Sequence, residues 1–300
     1  MTIRNTYTKS ADPRAIAHEV SGLETLSQAA RHGGAPVARL ATSQASSLET
    51  FTILQTTPSA RAARIFGSRL AHTHAFAPAG ERIFGEEPPT FAARFGHLGA
   101  MGSALLPMAA QGSQPRRFGE FYAEDRLLPY VKAARANGSF GPADAEAIDR
   151  LAERLRDGHF DAPQPRLVHT DAALLHGDLW SGNVLWARAD AVMDGGGSSS
   201  YGSPAYPGLV GRGAADSEAV GVLIDPACHG GHAESDLAQL NVFAAPFVEE
   251  IYAGYQEASP LAEGWQERVG LHQLHMLIVH AALFGGSYGP QTIRAARRYL

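Results

Sequence analysis

The chain has a single cysteine, Cys228, among 300 residues. One thiol closes no intramolecular disulfide and builds no cysteine-based zinc site, so nothing points to an oxidising compartment. Lysine is nearly as scarce. Of 25 basic residues only Lys9 and Lys132 are lysines, and arginine supplies the rest. The net charge is −5, which leaves no overall positive field to hold nucleic acid by its phosphates. No run approaches the roughly 20 apolar residues of a membrane span. The opening "MTIRNTYTKS" lacks the apolar centre of a signal peptide. These absences lead us to expect a cytoplasmic protein with neither membrane nor nucleic-acid partners.

Hydrophobic residues make up 45% of the chain and charged residues 18%, enough for one large domain or two lobes around a cleft. Residues 2–9 mix β-branched and aromatic residues and read as a strand. Asp12-Pro13 opens a helix whose stripe runs through Ile16, Val20 and Leu23. "HGGAPVARLAT" and "LETFTILQTT" read as two further strands, and residues 60–75 as a helix. Residues 76–118, rich in Pro and Gly, read as a long structured loop. Helices are expected at 119–136, 142–157, 234–255 and 264–284, and a short buried strand at "VGVLIDPA". The stretch "DGGGSSSYGSPAYPGLVGRGAADSE" has the composition of a mobile surface loop.

The densest chemistry lies in "LLHGDLWSGNVLW". Apolar residues lead in and out, so its polar residues sit on a loop anchored at both ends in a core. His176, Gly177 and Asp178 are followed after four residues by Asn183. This matches the H-R-D-x-x-x-x-N spacing of protein-kinase catalytic loops, where Asp accepts the substrate hydroxyl proton and Asn reaches magnesium. The competing reading is a tight turn in which Asp and Asn cap local N–H groups. Downstream, "VLIDPA" ends an apolar run on Asp225. A carboxylate there is costly unless paired or coordinating a cation. Asn183 and Asp225 together make a magnesium-type oxygen site, with Asp178 left to handle a proton.

"HGDLWSGNVLW" with "IDPACHGGHAESDLAQL" strongly resembles the fructosamine (ketosamine) kinase family, relatives of the aminoglycoside and choline phosphotransferases. The resemblance continues through "FGSRLAHTHA", "FYAEDRLLPY" and "PLAEGWQERVGLHQLHMLIVHAALFGGSY". It implies an α+β, two-lobed, protein-kinase-like fold. The shortened N-terminal β-lobe would cover residues 1–57, and a mainly helical C-terminal lobe residues 58–300. It also implies phosphorylation of a sugar hydroxyl of a fructosamine, with ATP and Mg2+. By the same resemblance Asp178 is the catalytic base, and Asn183 and Asp225 are metal ligands. Lys9 looks like the strand lysine that pairs the nucleotide phosphates, and Glu19 like its ion-pair partner. Leu54, Gln55, Thr56 and Thr57 would form the hinge touching adenine. His176, Trp180 and His232 are candidates for the substrate side.

Structural roles compete for several of these. Lys9 also suits an exposed strand and Glu19 a solvated helix face. Trp180 also suits a core anchor, and Asp236 a helix N-cap or a support under the 176–183 loop. His229 and His232 in "HGGH" are a weak zinc signal without an acidic or cysteine partner. Three departures from the family pattern stand out. No Gly-rich phosphate loop precedes Lys9, so a nucleotide site open on one side is expected. Ala233 stands where the family has Arg. The insert at about 190–218 lengthens the connection from Asn183 to Asp225. The rival readings are a kinase-like regulatory pseudo-kinase and a phosphotransferase for another small molecule, such as an aminoglycoside or choline.

Overall fold

The computed structural model describes residues 5–91, 95–189, 192 and 219–300. The small lobe is a three-stranded antiparallel sheet of β1 (Thr6–Ser10), β2 (Leu40–Gln44) and β3 (Ser47–Phe51), with β3 in the middle. Lys9 lies opposite Leu48 across the β1–β3 pair. Helix α1 (Pro13–Arg31) starts where the Asp12 carboxylate accepts the N–H of Arg14 and Pro13 supplies a preset φ. Its stripe of Ile16, Leu23, Leu26 and Ala30 is buried. The segment after α1 crosses to the second lobe, where Ala38 and Leu223 are joined by an N–H···O bond of 2.8 Å.

The large lobe is mostly helical. Helix α2 (Ala60–His74) packs Phe66 and Leu70 into one core with Ile251 and Tyr255. Residues 76–118 hold more regular structure than composition suggests: β4 (Leu98–Met101) and β5 (Ala104–Pro107) form a hairpin. Strands of four residues around Gly102 carry too little alternation to be recognised. The next helical run begins as α3 (Phe118–Phe121), widens to a π-helix at Tyr122–Leu127, and continues as α4 (Leu128–Ala136). Helix α5 (Pro142–Arg156) follows, with Ile148, Leu151 and Leu155 fully buried.

The expected helix at 234–255 is two helices, α6 (Ala233–Leu240) and α7 (Val248–Ala258). Ala244 and Phe247 have positive φ of 50° and 53°. Pro246 between them lacks an N–H and disfavours helix before it, which breaks the run. Helix α8 (Trp265–Phe284) is apolar on nearly every side and forms the centre of a second core with α3, α5 and α9 (Tyr288–Ala296). Helix α9 was not legible beyond Gly285-Gly286. Two short antiparallel pairs lie between the lobes: β6 (Ala173–Leu175) with β9 (His229–Gly231), and β7 (Val184–Arg188) with β8 (Ala219–Leu223). The insert expected to be mobile falls almost wholly outside the described residues.

Candidate active site

The loop from His176 to Asn183 joins β6 to β7, so both its ends are fixed by strand pairing. Its first turn rests on Asp236 of α6, which is fully buried. The Asp236 carboxylate accepts the N–H of His176 at 2.7 Å and that of Gly177 at 2.9 Å. His74 Nε2 lies 3.2 Å from the same carboxylate, and its Nδ1 is 2.9 Å from the Tyr255 hydroxyl. One helical turn on, the Gln239 amide oxygen accepts the Leu179 N–H at 2.6 Å. The loop backbone is thus held from beneath by two side chains spaced i, i+3 on α6. Gly177 is at φ +86°, and a Cβ there would lie 2.1 Å from the Ala227 carbonyl. Only glycine satisfies both conditions.

His176 faces inward. Its Nε2–H donates to the Ile224 carbonyl at 2.8 Å, so its Nδ1 is the acceptor for the Asp178 N–H at 3.3 Å. Burial lowers its pKa and keeps the ring neutral in this role. Asp178 and Asn183 meet across the loop. The Asn183 Nδ2 donates to the Asp178 backbone carbonyl at 2.8 Å and to its carboxylate at 3.2 Å. The amide oxygen of Asn183 is left for another partner. Burial raises the Asp178 pKa to about 7, and the charges of Asp225 and Asp236 push the same way.

Asp225 is brought alongside by the two strand pairs, with the N–H of Ile224 bonded to the Asn183 carbonyl at 3.1 Å. It adopts positive φ, 53°, and 42% of its side chain is exposed. Lys9 reaches over from the small lobe and places its ammonium 2.8 Å from Glu19 and 3.2 Å from Asp225. Glu19 is nearly buried, which raises its pKa to about 7 against the pull of Lys9. Burial would lower the Lys9 pKa, but the two carboxylates outweigh it and raise it. The neighbouring His18 anchors the helix that carries Glu19. His18 Nδ1 accepts the Ala100 N–H at 3.2 Å, and its Nε2–H donates to the Cys228 carbonyl at 2.9 Å.

A cleft of about 260 Å³ opens beside this triad. Its walls are apolar, with Ala38, Leu48, Leu185 and Ile224, and Lys9, Glu19 and Asp225 stand at its polar end. Residues 50–53 line it, whereas the expected hinge residues lie farther along. Leu54 is 67% exposed, Gln55 bridges to Ala187, Thr56 donates its N–H to the Trp186 carbonyl, and Thr57 follows. Trp180 stands beside Asp178 with its ring edge-on to Phe243.

His232 is buried away from this cleft, capping α6 through the Glu234 N–H. Its neighbours Glu234 and His272 could form a metal cluster with it, but Arg268 donates to both Glu234 oxygens, at 2.9 and 2.6 Å. Burial works against that carboxylate, yet the bonds from His272 and Arg268 hold its pKa at about 2. The cluster is an ion pair already satisfied by a cation.

His18, His74 and Gln239 escaped sequence reasoning. Gln239 alone left a signal, three residues after Asp236 on one helix face. The fold and loop order are those of kinase-like phosphotransferases. A Thermobifida fusca protein carried under the name fructosamine-3-kinase superposes with a TM-score of 0.72 at 32% identity, over 99% of this chain and 85% of that one. The macrolide 2'-phosphotransferase of Brachybacterium faecium shares the fold at 14% identity, with a TM-score of 0.51 over 98% of this chain and 84% of that one. Among curated proteins, a "Probable ketoamine kinase" of Lactiplantibacillus plantarum is 32% identical over 60% of this chain and 51% of its own length. One of Escherichia coli K12 is 30% identical over 76% and 60% respectively. The chain therefore spans about half to three fifths of the curated relatives it matches. The fructosamine kinase family model matches residues 6–300, so that the loop, the triad and the helices beneath them all fall inside the match, and the chain belongs to the fructosamine kinase family.

Proposed function

We propose that the chain transfers the γ-phosphoryl group of ATP to a sugar hydroxyl of a ketoamine. The observation that carries this reading is the convergence of Lys9, Glu19 and Asp225 on one point at the mouth of an apolar cleft, with Asp178 and Asn183 on the adjoining loop. An apolar slot with a cation at one end suits a base at one end and phosphates at the other. Residues 50–53 then take the adenine edge in place of the expected 54–57.

The donor set fits magnesium. Asn183 commits its nitrogen to Asp178 and keeps an amide oxygen, and the half-exposed Asp225 offers carboxylate oxygens. A bound magnesium ion would supply neutralisation of the charge on the transferred group. Lys9, fixed by Glu19, orients the phosphates. Asp178 faces the acceptor and takes its proton, and a pKa of about 7 suits a base working near neutral pH. His176 and Asp236 do not touch substrate in this reading. They hold the backbone on which Asp178 rides. Trp180 forms one wall of the sugar site. Among the described residues no helix is long and apolar enough to cross a membrane.

The test is ADP release measured against a panel of ketoamines, amino sugars, aminoglycosides and choline, with magnesium and ATP. Turnover on ketoamines that falls by about 10²-fold or more in a folded Asp178→Asn variant supports the reading. Turnover confined to another acceptor class, or unaffected by Asp178→Asn, refutes it.

A further inference from the structure

An aromatic ledge leads outward from the 176–183 loop. The Trp180 ring covers Gly182, where a Cβ would lie 2.2 Å from the indole. It meets Phe243 at a centroid distance of 5.5 Å, and Phe243 meets His280 of α8 at 5.6 Å. His280 in turn lies 5.5 Å from Phe284. The Ser181 hydroxyl bonds the Phe243 carbonyl at 3.2 Å, tying the ledge to the loop. Phe284 is 69% exposed, the most exposed large apolar side chain among the described residues. No core requirement accounts for such a phenyl ring at the end of α8.

We propose that Phe243, His280 and Phe284 form the subsite for the group carried on the amine nitrogen of the acceptor, and that they select an apolar or aromatic substituent. The inference rests on the ketoamine reading above. With the reacting hydroxyl at Asp178 and the sugar against Trp180, the substituent must leave the sugar along some surface, and the ledge begins where the sugar wall ends. No side chain of the ledge carries a fixed charge, so it offers no counter-charge to a carboxylate or ammonium end and much to a hydrocarbon face. His280 adds one polar feature. Its Nδ1–H donates to the Met276 carbonyl at 2.8 Å, which leaves Nε2 as an acceptor for an N–H of the substrate. Burial lowers the His280 pKa and so preserves that acceptor.

The experiment measures binding of fructosyl-glycine and fructosyl-phenylalanine to the protein loaded with ADP and magnesium, by calorimetry, with ADP release from ATP followed separately. The two ligands differ only by a benzyl group. The phenylalanine adduct is expected to bind about tenfold more tightly, the scale of a well-filled apolar subsite. Phe284→Ala should erase most of that ratio, and Phe284→Leu, which keeps apolar area, should retain most of it. Because Phe284 is exposed, both variants can be checked for native melting. Equal affinity for the two adducts, or a Phe284→Ala loss common to both, overturns the subsite while leaving the ketoamine reading intact. Selective binding without phosphorylation refutes the ketoamine reading and with it the role of the ledge as an acceptor subsite, leaving only a surface that binds aromatic groups. Binding of neither adduct overturns both.

Discussion

The ammonium of Lys9 stands 2.8 Å from the Glu19 carboxylate, joining a strand of the small lobe to the helix packed beneath it. The same ammonium lies 3.2 Å from Asp225 on the other side of the cleft. One lysine therefore spans both lobes, in a chain that otherwise draws nearly all its positive charge from arginine.

Replacing Lys9 should uncouple nucleotide use from folding. The side chain is partly exposed, so Lys9→Met is expected to leave the melting temperature within a few degrees. Removal of one preorganised charge from the phosphate site should lower kcat/KM for ATP by about 10²-fold. Steady-state kinetics with ATP varied, beside a thermal melt, separates the two. A variant with near-native kcat/KM would show that Lys9 is a structural lysine.

Asp178 makes a prediction about stability. Burial raises its pKa from 3.8 to about 7. Between those values the folded protein keeps a proton that the unfolded chain has released. Stability linked to this group is therefore full below about pH 4, falls as pH rises through the window, and stays low above pH 7. Asp178→Asn lacks this loss. In magnesium-free, nucleotide-free buffer the variant should gain on the native protein from pH 4 to pH 8, by about 2 °C or more in melting temperature. Parallel melting curves across that range would count against a buried, proton-holding Asp178.

How much of this was visible in the sequence depends on how far apart the partners are. Asp178 and Asn183 are separated by four residues, and their spacing alone announces a loop that bonds across itself. Asp225 is visible because a carboxylate that ends an apolar strand needs an explanation. Lys9 and Glu19 came from resemblance, since neither strand nor helix periodicity distinguishes them from solvated charges. His18 and His74 are invisible in sequence for a different reason. Each is a buried histidine whose partners lie 82 to 210 residues away, and only the folded chain brings those backbone and side-chain groups together. The divided helix at 234–255 was misread because its apolar spacing continues across Pro246. Residues 54–57 are expected at the hinge from resemblance alone; in the fold Gln55 and Thr56 bond to β7, a pairing that no local pattern announces, and residues 50–53 line the cleft.

Asp236 supports the loop through bonds to two backbone N–H groups and to His74. Asp236→Ala would leave all three donors buried without an acceptor. Removing one partner of a buried ionic network costs about 3–5 kcal/mol. The urea midpoint should fall accordingly, and turnover should vanish even where the fold survives. Asp236→Asn keeps one acceptor oxygen and should fall between the variant and the native protein. An Asp236→Ala protein with a native urea midpoint would contradict the support role.

The last prediction concerns His18, which neither touches the cleft nor carries charge in its working state. Burial lowers its pKa, and the neutral ring bridges the Ala100 N–H to the Cys228 carbonyl. Cys228 follows Asp225 by three residues, and Glu19 is the next residue after His18 on α1. The imidazole thus fixes the spacing between the helix that carries Glu19 and the β8–β9 connection that carries Asp225, the two carboxylates between which Lys9 sits. His18→Gln can keep one of the two bonds, whereas His18→Leu keeps neither and strands the buried Cys228 carbonyl and the part-buried Ala100 N–H, at a cost of about 1–3 kcal/mol. A purely structural role would lower the melting temperature and leave the KM for ATP unchanged. Control of the Glu19–Asp225 spacing would raise that KM as well, more in His18→Leu than in His18→Gln, with kcat/KM for ATP falling by about tenfold for each 1.4 kcal/mol of lost phosphate orientation. Measured below the melting range of both variants, an unchanged KM for ATP would confine His18 to packing.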